Sequence, residues 1–267
     1  MAPSTVTQGT DAPVVSAVVP VFRSEATLAA LHARLAAVLP TDHEVVFVDD
    51  ASPDGSTAVL AQLAAADPRV RIVRHAVNRG QHAAVLTGLA EARGDAVVVL
   101  DADGQDPPEA IPALLARLRG TARASNENGT EPAACNVVAS REGLEARAAL
   151  PGPQRPAAVF GLRHGAYGRR GRRITGQAFR ALLRLASARR LPAGAGMFFA
   201  LSADLAAQLA AARSADGPGP YVVGLIARSG ATLDGVPVER SAAAATSYTR
   251  SARLAVGARA LREAVRR

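Results

Sequence analysis

The sequence predicts an α/β protein with a mainly parallel central sheet flanked by helices, one domain with a surface insertion. Three observations predict this. Short apolar runs alternate with longer segments of helical periodicity. Strand–helix–strand alternation builds parallel sheets with helices on both faces. The apolar runs also end repeatedly in carboxylates, at the strand ends where open α/β sheets bind ligands.

The first run, Val14 to Val19, leads into Pro20-Val21-Phe22-Arg23-Ser24-Glu25, after which a helical pattern begins. The second, Val45-Val46-Phe47-Val48, ends in Asp49 and Asp50, followed by a Ser52-Pro53-Asp54-Gly55 turn. A helix then precedes a short strand, Arg71 to Arg74, and Asn78-Arg79-Gly80-Gln81-His82 leads into a helix over Ala83 to Ala92. The fourth run, Val97 to Leu100, ends at Asp101, Asp103 and Gln105. If that end is extended, alternate residues face one way and three oxygen-bearing side chains approach one point. Such a hard-oxygen set suits Mg²⁺ or Mn²⁺, and a bound metal suits a diphosphate. Asp106-Pro107-Pro108-Glu109 then stops the strand and starts a helix. A D-x-D by itself is most often a solvated loop. Its position after a strand, beside a second acidic strand end, gives it weight.

These motifs together resemble those of family 2 glycosyltransferases of the GT-A (Rossmann-like) fold, in the dolichol-phosphate-mannose-synthase-like, polyprenyl-phosphate branch. The matching pieces are Val19-Pro20-Val21-Phe22 with Glu25, Val48 to Ser56, Asn78-Arg79-Gly80, and Leu100 to Glu109. The resemblance is dense over Val14 to Gly120 and looser from Val159 to Arg250. It implies that Pro20, Phe22, Glu25 and Asp50, with Asp101, Ala102 and Asp103, bind a nucleotide-diphosphate sugar. Asp50 would accept a hydrogen bond from an imide N–H, which uracil and guanine both possess. It also implies a Mg²⁺ or Mn²⁺ ion on Asp101, Asp103 and Gln105, and transfer with inversion from a UDP- or GDP-linked sugar to a polyprenyl phosphate. Two other readings stand beside it: a soluble family 2 enzyme acting on a saccharide or small-molecule hydroxyl, and a non-catalytic nucleotide-sugar-binding paralogue.

All 31 basic residues are Arg, which excludes a Walker lysine, a Schiff-base lysine and a pyridoxal-phosphate site. Residues 1–120 carry 9 Arg against 14 acids, residues 121–267 carry 22 Arg against 9, and the whole chain is +8. An acidic half suited to a metal thus adjoins a basic half suited to anions. Arg163, Arg169, Arg170, Arg172 and Arg173 lie on or before a Gly-rich loop preceding a helical pattern, a credible phosphate site. This is where the resemblance expects the acceptor phosphate. Arg180 and Arg184 read instead as the solvated face of that helix. An aromatic content of 3%, no Trp and no stacking motif argue against nucleic acid as a partner.

The expected organisation is a disordered tail over 1–13, a nucleotide-sugar-binding half over 14–119 and an insertion or mobile loop over 120–158. An acceptor-binding half over 159–250 and a C-terminal amphipathic helix over 251–267 complete it. Single Cys135 offers neither disulfide nor metal cluster. Residues 1–13 lack the regions of a signal peptide, and no run reaches the roughly 18–20 apolar residues of a spanning helix. The expected location is cytoplasmic, with the C-terminal segment either on the membrane face or packed on the domain. A lipid acceptor then calls for peripheral attachment or a membrane-protein partner.

Two positions separate the readings. Ala193-Gly194-Ala195-Gly196-Met197-Phe198-Phe199 lacks the acid that relatives often carry near Gly-x-Phe. A hydroxyl acceptor needs such a base, whereas a phosphate monoester, with a second pKa of about 6, is already largely dianionic at neutral pH. Asp106 is the remaining candidate base for a hydroxyl, and equally an N-cap beside Pro107. Tyr248, within Thr246-Ser247-Tyr248, resembles a Ser-x-Tyr element of the lipid-using branch. His82 lies near the nucleotide end of a helix, where a lone His is more often structural.

Overall fold

The computed structural model describes residues 14–120, 155–164, 191–213 and 219–239. Strands β1 (Val15–Val21), β2 (His43–Asp49) and β4 (Ala96–Val99) are buried along their whole length, as their Val-rich runs require. They alternate with helices α1 (Glu25–Val38), α2 (Ser56–Ala66) and α3 (Gln81–Glu91), while β3 (Val70–Arg74) forms the edge. A 3₁₀ turn, Pro108–Ala110, leads into α4 (Ile111–Leu118). Strands β5 (Ala158–His164) and β6 (Phe199–Ser202), helices α5 (Ala203–Ala210) and α6 (Val222–Arg228), and β7 (Leu233–Glu239) follow.

All seven strands join one sheet in the order β3-β2-β1-β4-β6-β5-β7. Strand β6 runs antiparallel to both neighbours, and every other pairing is parallel. The carboxyl ends of β1, β2, β4 and β5 therefore share one side of the molecule. Period-two alternation sends Val15, Ala17, Val19, Val45 and Phe47 to one core, beneath α1 and α4. Val18, Val46, Val48, Val97 and Val99 meet α3, α5 and α6 in the other. Helix α3 approaches so closely that a Cβ on Gly88 would lie 2.3 Å from a Val18 methyl.

Pro20 sits in a central strand, a position that normally loses a ladder hydrogen bond. Val18 uses its carbonyl to receive the Leu100 amide, so the even residues of β1 face β4. The β1–β4 pairing stops at Val18 and Val99, so Pro20 falls just past it and forfeits nothing.

Candidate active site

The turn after β4 is not extended. Strand β4 stops at Val99, Ala102 and Asp103 form a turn, and Gly104 takes a φ of +70°. Asp103 closes it by accepting the Gln105 amide at 3.0 Å. The sequence-based expectation of alternate residues on an extended strand is thus corrected. Asp101, Asp103 and Gln105 lie on or beside a tight turn, closed by Asp103 bonding locally where a ladder would have continued. Asp101 and Asp103 are half-buried, Gln105 is buried, and Ala102 is fixed through its carbonyl, which accepts the Thr27 hydroxyl at 2.6 Å. The first turn of α1 is thereby tied to the acidic turn.

At the end of β2 the two carboxylates do different work. Asp49 is wholly buried and accepts the Ser52 amide at 3.0 Å and the Thr57 hydroxyl at 2.8 Å, with Arg74 alongside at 3.5 Å. It holds the turn that starts α2. Asp50, also buried, accepts the Arg79 and Gly80 amides at 2.8 and 2.7 Å and bonds His75 Nδ1 at 2.7 Å. Asn78 donates to the Asp50 carbonyl at 3.1 Å. Three donors already converge on the Asp50 carboxylate, which the sequence reading offered to a nucleobase.

Pro20 is buried, and Phe22 is half-buried beneath the Arg23 guanidinium, 5.4 Å above the ring centroid. Glu25 is exposed at the start of α1 and accepts the Gly55 amide at 3.0 Å, so it braces the turn after β2. Arg23 and Ala51, the residues just beyond β1 and β2, take left-handed φ values of 54° and 56°. Non-glycine residues in that region are held there by their surroundings and gather at functional sites. Between the ends of β2 and β3 lies an open depression of about 390 Å³ lined by Ala51, Ser52, Arg74, His75 and Ala76.

The sheet register puts Arg163 at the same end as Asp101, on the second strand from β4 and about 10 Å away across the strands. Its backbone pairs with Val238. The stretch Ala193 to Phe198 enters β6 between them, with no acid in it. Asp106 is wholly buried, and no side chain caps the 3₁₀ turn that opens at Pro108. The N-cap role considered for Asp106 is therefore corrected: Pro107 occupies that position, and Pro lacks the side-chain acceptor a cap needs. His82 packs edge-on against Tyr221, ring centroids 4.8 Å apart, which agrees with a structural histidine. Arg169, Arg170, Arg172, Arg173, the bulk of the 120–158 insertion, Tyr248 and the 251–267 segment lie outside the described residues.

Sequence reasoning missed His75, Thr87 and Gln81. His75 is 5% exposed, bonded on one side to Asp50 and on the other to the Thr87 hydroxyl at 3.0 Å. Gln81, first residue of α3, donates its amide to the Asp101 carboxylate. The available signal was position: both stand where chain leaves the carboxyl end of the sheet or returns to it.

Among the described residues no three His, Cys, Asp or Glu form a cage able to hold a metal. A pair of carboxylates with one amide oxygen instead suits a Mg²⁺-like ion that takes its remaining ligands from substrate phosphates.

The order and directions of the strands are those of the GT-A fold. Residues 16–125 match the family described as Glycosyl transferase family 2. Over 111 residues it is 45% identical to an undecaprenyl-phosphate 4-deoxy-4-formamido-L-arabinose transferase of Aeromonas hydrophila, covering 40% of this chain and 34% of that protein. The namesake of Pseudomonas paraeruginosa is 47% identical over 109 residues, covering 39% and 32%. The match thus spans about a third of the length of these curated relatives.

Two solved structures share the fold at low identity. The mannosyltransferase PcManGT of Pyrobaculum calidifontis, in complex with GDP-Man and Mn²⁺, superposes with a TM-score of 0.57 at 19% identity, over 97% of this chain and 66% of that one. Glucosyl-3-phosphoglycerate synthase of Mycobacterium tuberculosis, in complex with Mn²⁺, UDP and phosphoglyceric acid, gives 0.58 at 17% identity, over 94% and 77%. No helix among the described residues is long and apolar enough to cross a membrane.

Proposed function

We propose that this protein moves a sugar from a UDP- or GDP-linked donor to a polyprenyl phosphate, with inversion at the anomeric carbon. The observation that supports this most is the Asp101–Gln105 turn at the end of β4, within the residues 16–125 that match Glycosyl transferase family 2. The ends of β1 and β2, with Pro20, Phe22, Glu25 and Asp50, form the nucleotide side. Asp101 and Asp103, with Gln105, would hold a Mg²⁺ or Mn²⁺ ion, which would supply positive charge to stabilise the leaving diphosphate. Arg163 and the Arg169–Arg173 loop hold the acceptor phosphate against the sugar. No general base is needed, since the acceptor is largely dianionic at neutral pH, and the acid-free Ala193–Phe198 stretch agrees with that. Asp106, wholly buried, has no task in this reaction. The lipid acceptor is offered to the site from a membrane surface or by a membrane-protein partner.

The test mixes purified protein, Mn²⁺ or Mg²⁺, labelled UDP- and GDP-sugars and undecaprenyl phosphate, and counts label in the organic phase. Metal-dependent extraction is expected, reduced by about 10²–10³ in Asp103→Ala, the scale of losing a charge-stabilising contact. Label that stays aqueous while donor is consumed would point to a soluble hydroxyl acceptor and withdraw the roles given to the arginines.

A further inference from the structure

The carboxylate proposed to carry the metal is held by a chain of contacts that begins elsewhere in the molecule. His75, at the exit of β3, donates from Nδ1 to Asp50 at 2.7 Å, and its Nε2 meets the Thr87 hydroxyl at 3.0 Å. Nδ1–H is the donor, since a carboxylate can only accept, and the Thr87 hydroxyl fixes the ring from its other side. Both side chains are nearly sealed from solvent, 5% and 3% exposed. Asp50, so oriented, receives the backbone amides of Arg79 and Gly80. Gly80 has a φ of +88°, a conformation that brings the chain straight into α3. Gln81 is the first residue of that helix, and its amide donates to Asp101.

We infer that Gln81 is a positioning residue for Asp101, and that His75 and Asp50 set its position through the backbone of Arg79 and Gly80. The inference rests on the proposed metal site and deepens it. An amide is suited to this task. It fixes the carboxylate through one oxygen and adds no positive charge, so the attraction of Asp101 for a cation is kept. A lysine or arginine at position 81 would orient the group equally well and neutralise it. The path also joins the nucleotide side of the site, at the end of β2, to the metal side, at the end of β4. Asp50 thereby acquires a purpose distinct from reading a base.

The experiment measures Mn²⁺ binding to the full chain by water-proton relaxation, with UDP or GDP present at saturation. Removing a partner that orients a metal-binding side chain typically weakens metal affinity 10–100-fold. Gln81→Leu is expected to raise the half-saturating Mn²⁺ concentration about tenfold or more, with circular dichroism unchanged. His75→Leu should do the same, while His75→Asn, whose amide can stand in for Nδ1–H, should recover most of the loss. A purely structural role for His75 would lower stability in both variants without separating them in Mn²⁺ affinity. Folded Gln81→Leu with wild-type Mn²⁺ affinity would overturn the inference and leave the metal site standing. Should His75→Leu fail to fold, Gln81→Leu decides alone, since its side chain is only half-buried. Wild-type protein that binds Mn²⁺ with neither nucleotide overturns the functional reading and this inference together.

Discussion

At the amino end of the sheet Glu44, on β2, receives the Ser16 hydroxyl at 2.6 Å, the Arg93 amide at 2.7 Å and the Arg71 guanidinium at 3.0 Å. Arg71 reaches on to Glu91 at 3.1 Å, and nearby Asp67 is gripped by Arg69 at 2.9 Å. At the carboxyl end, Asp50 is held by two backbone amides and an imidazole, Asp103 by a backbone amide and Asp101 by the Gln81 amide. Carboxylates at the two ends of the sheet are thus satisfied in different ways. Guanidinium partners cancel the charge and seal that end of the sheet. Amide partners fix geometry without adding positive charge, which suits the cation site proposed above. Asp49, at the carboxyl end but with Arg74 3.5 Å away, braces the turn before α2 and so groups with the structural carboxylates.

Substitutions at the two ends should separate activity from stability. The largest effect expected is on catalysis: Asp101→Asn lowers metal-dependent transfer by about 10²-fold or more, with the urea midpoint unchanged within error. Its counterpart, Glu44→Ala, leaves Arg71 and two further donors without their acceptor and should cost about 3 kcal/mol in urea unfolding. Kinetic constants per folded molecule should stay at wild-type values. Equal losses of both properties in either variant would break the comparison.

A smaller effect is expected at Gly88, where α3 presses on β1. The added methyl of Gly88→Ala would meet Val18, and overpacking of this kind costs about 1–3 kcal/mol. Since α3 also carries Gln81, a rise in half-saturating Mn²⁺ should accompany that loss.

The smallest effect is at Asp67, whose carboxyl is held well below the usual range, mainly by hydrogen bonding from Arg69. A depressed folded-state pKa contributes stability above the unfolded-state value, lost as pH falls through the folded one. Asp67→Asn should therefore cost about 1 kcal/mol near neutrality, with the gap to wild type closing in strong acid. A gap that persists there would assign the loss to packing.

Much of this was legible in the chain itself. The Val-rich runs at 15–21, 43–49 and 96–99 could only be buried strands, and the acids that follow them had to lie at one end of a parallel sheet. What stayed hidden depended on contacts between residues far apart in sequence. The reading of 101–105 as extended failed because Asp103 bonds locally, and Asp106 did not serve as a cap because Pro107 took that place. His75 carried no motif, and its significance came only when β2, β3 and α3 brought Asp50 and Thr87 to its two nitrogens.

The sequence by itself determined the order of strands and helices over residues 14–120, the resemblance to family 2 glycosyltransferases and the identity of the acidic turn, because periodicity, turn chemistry and motif spacing are local. Only the tertiary structure decided which carboxylates are satisfied by arginines and which by amides. A side chain's partner is chosen by the folding of distant segments onto it, and no local pattern in the chain records that choice.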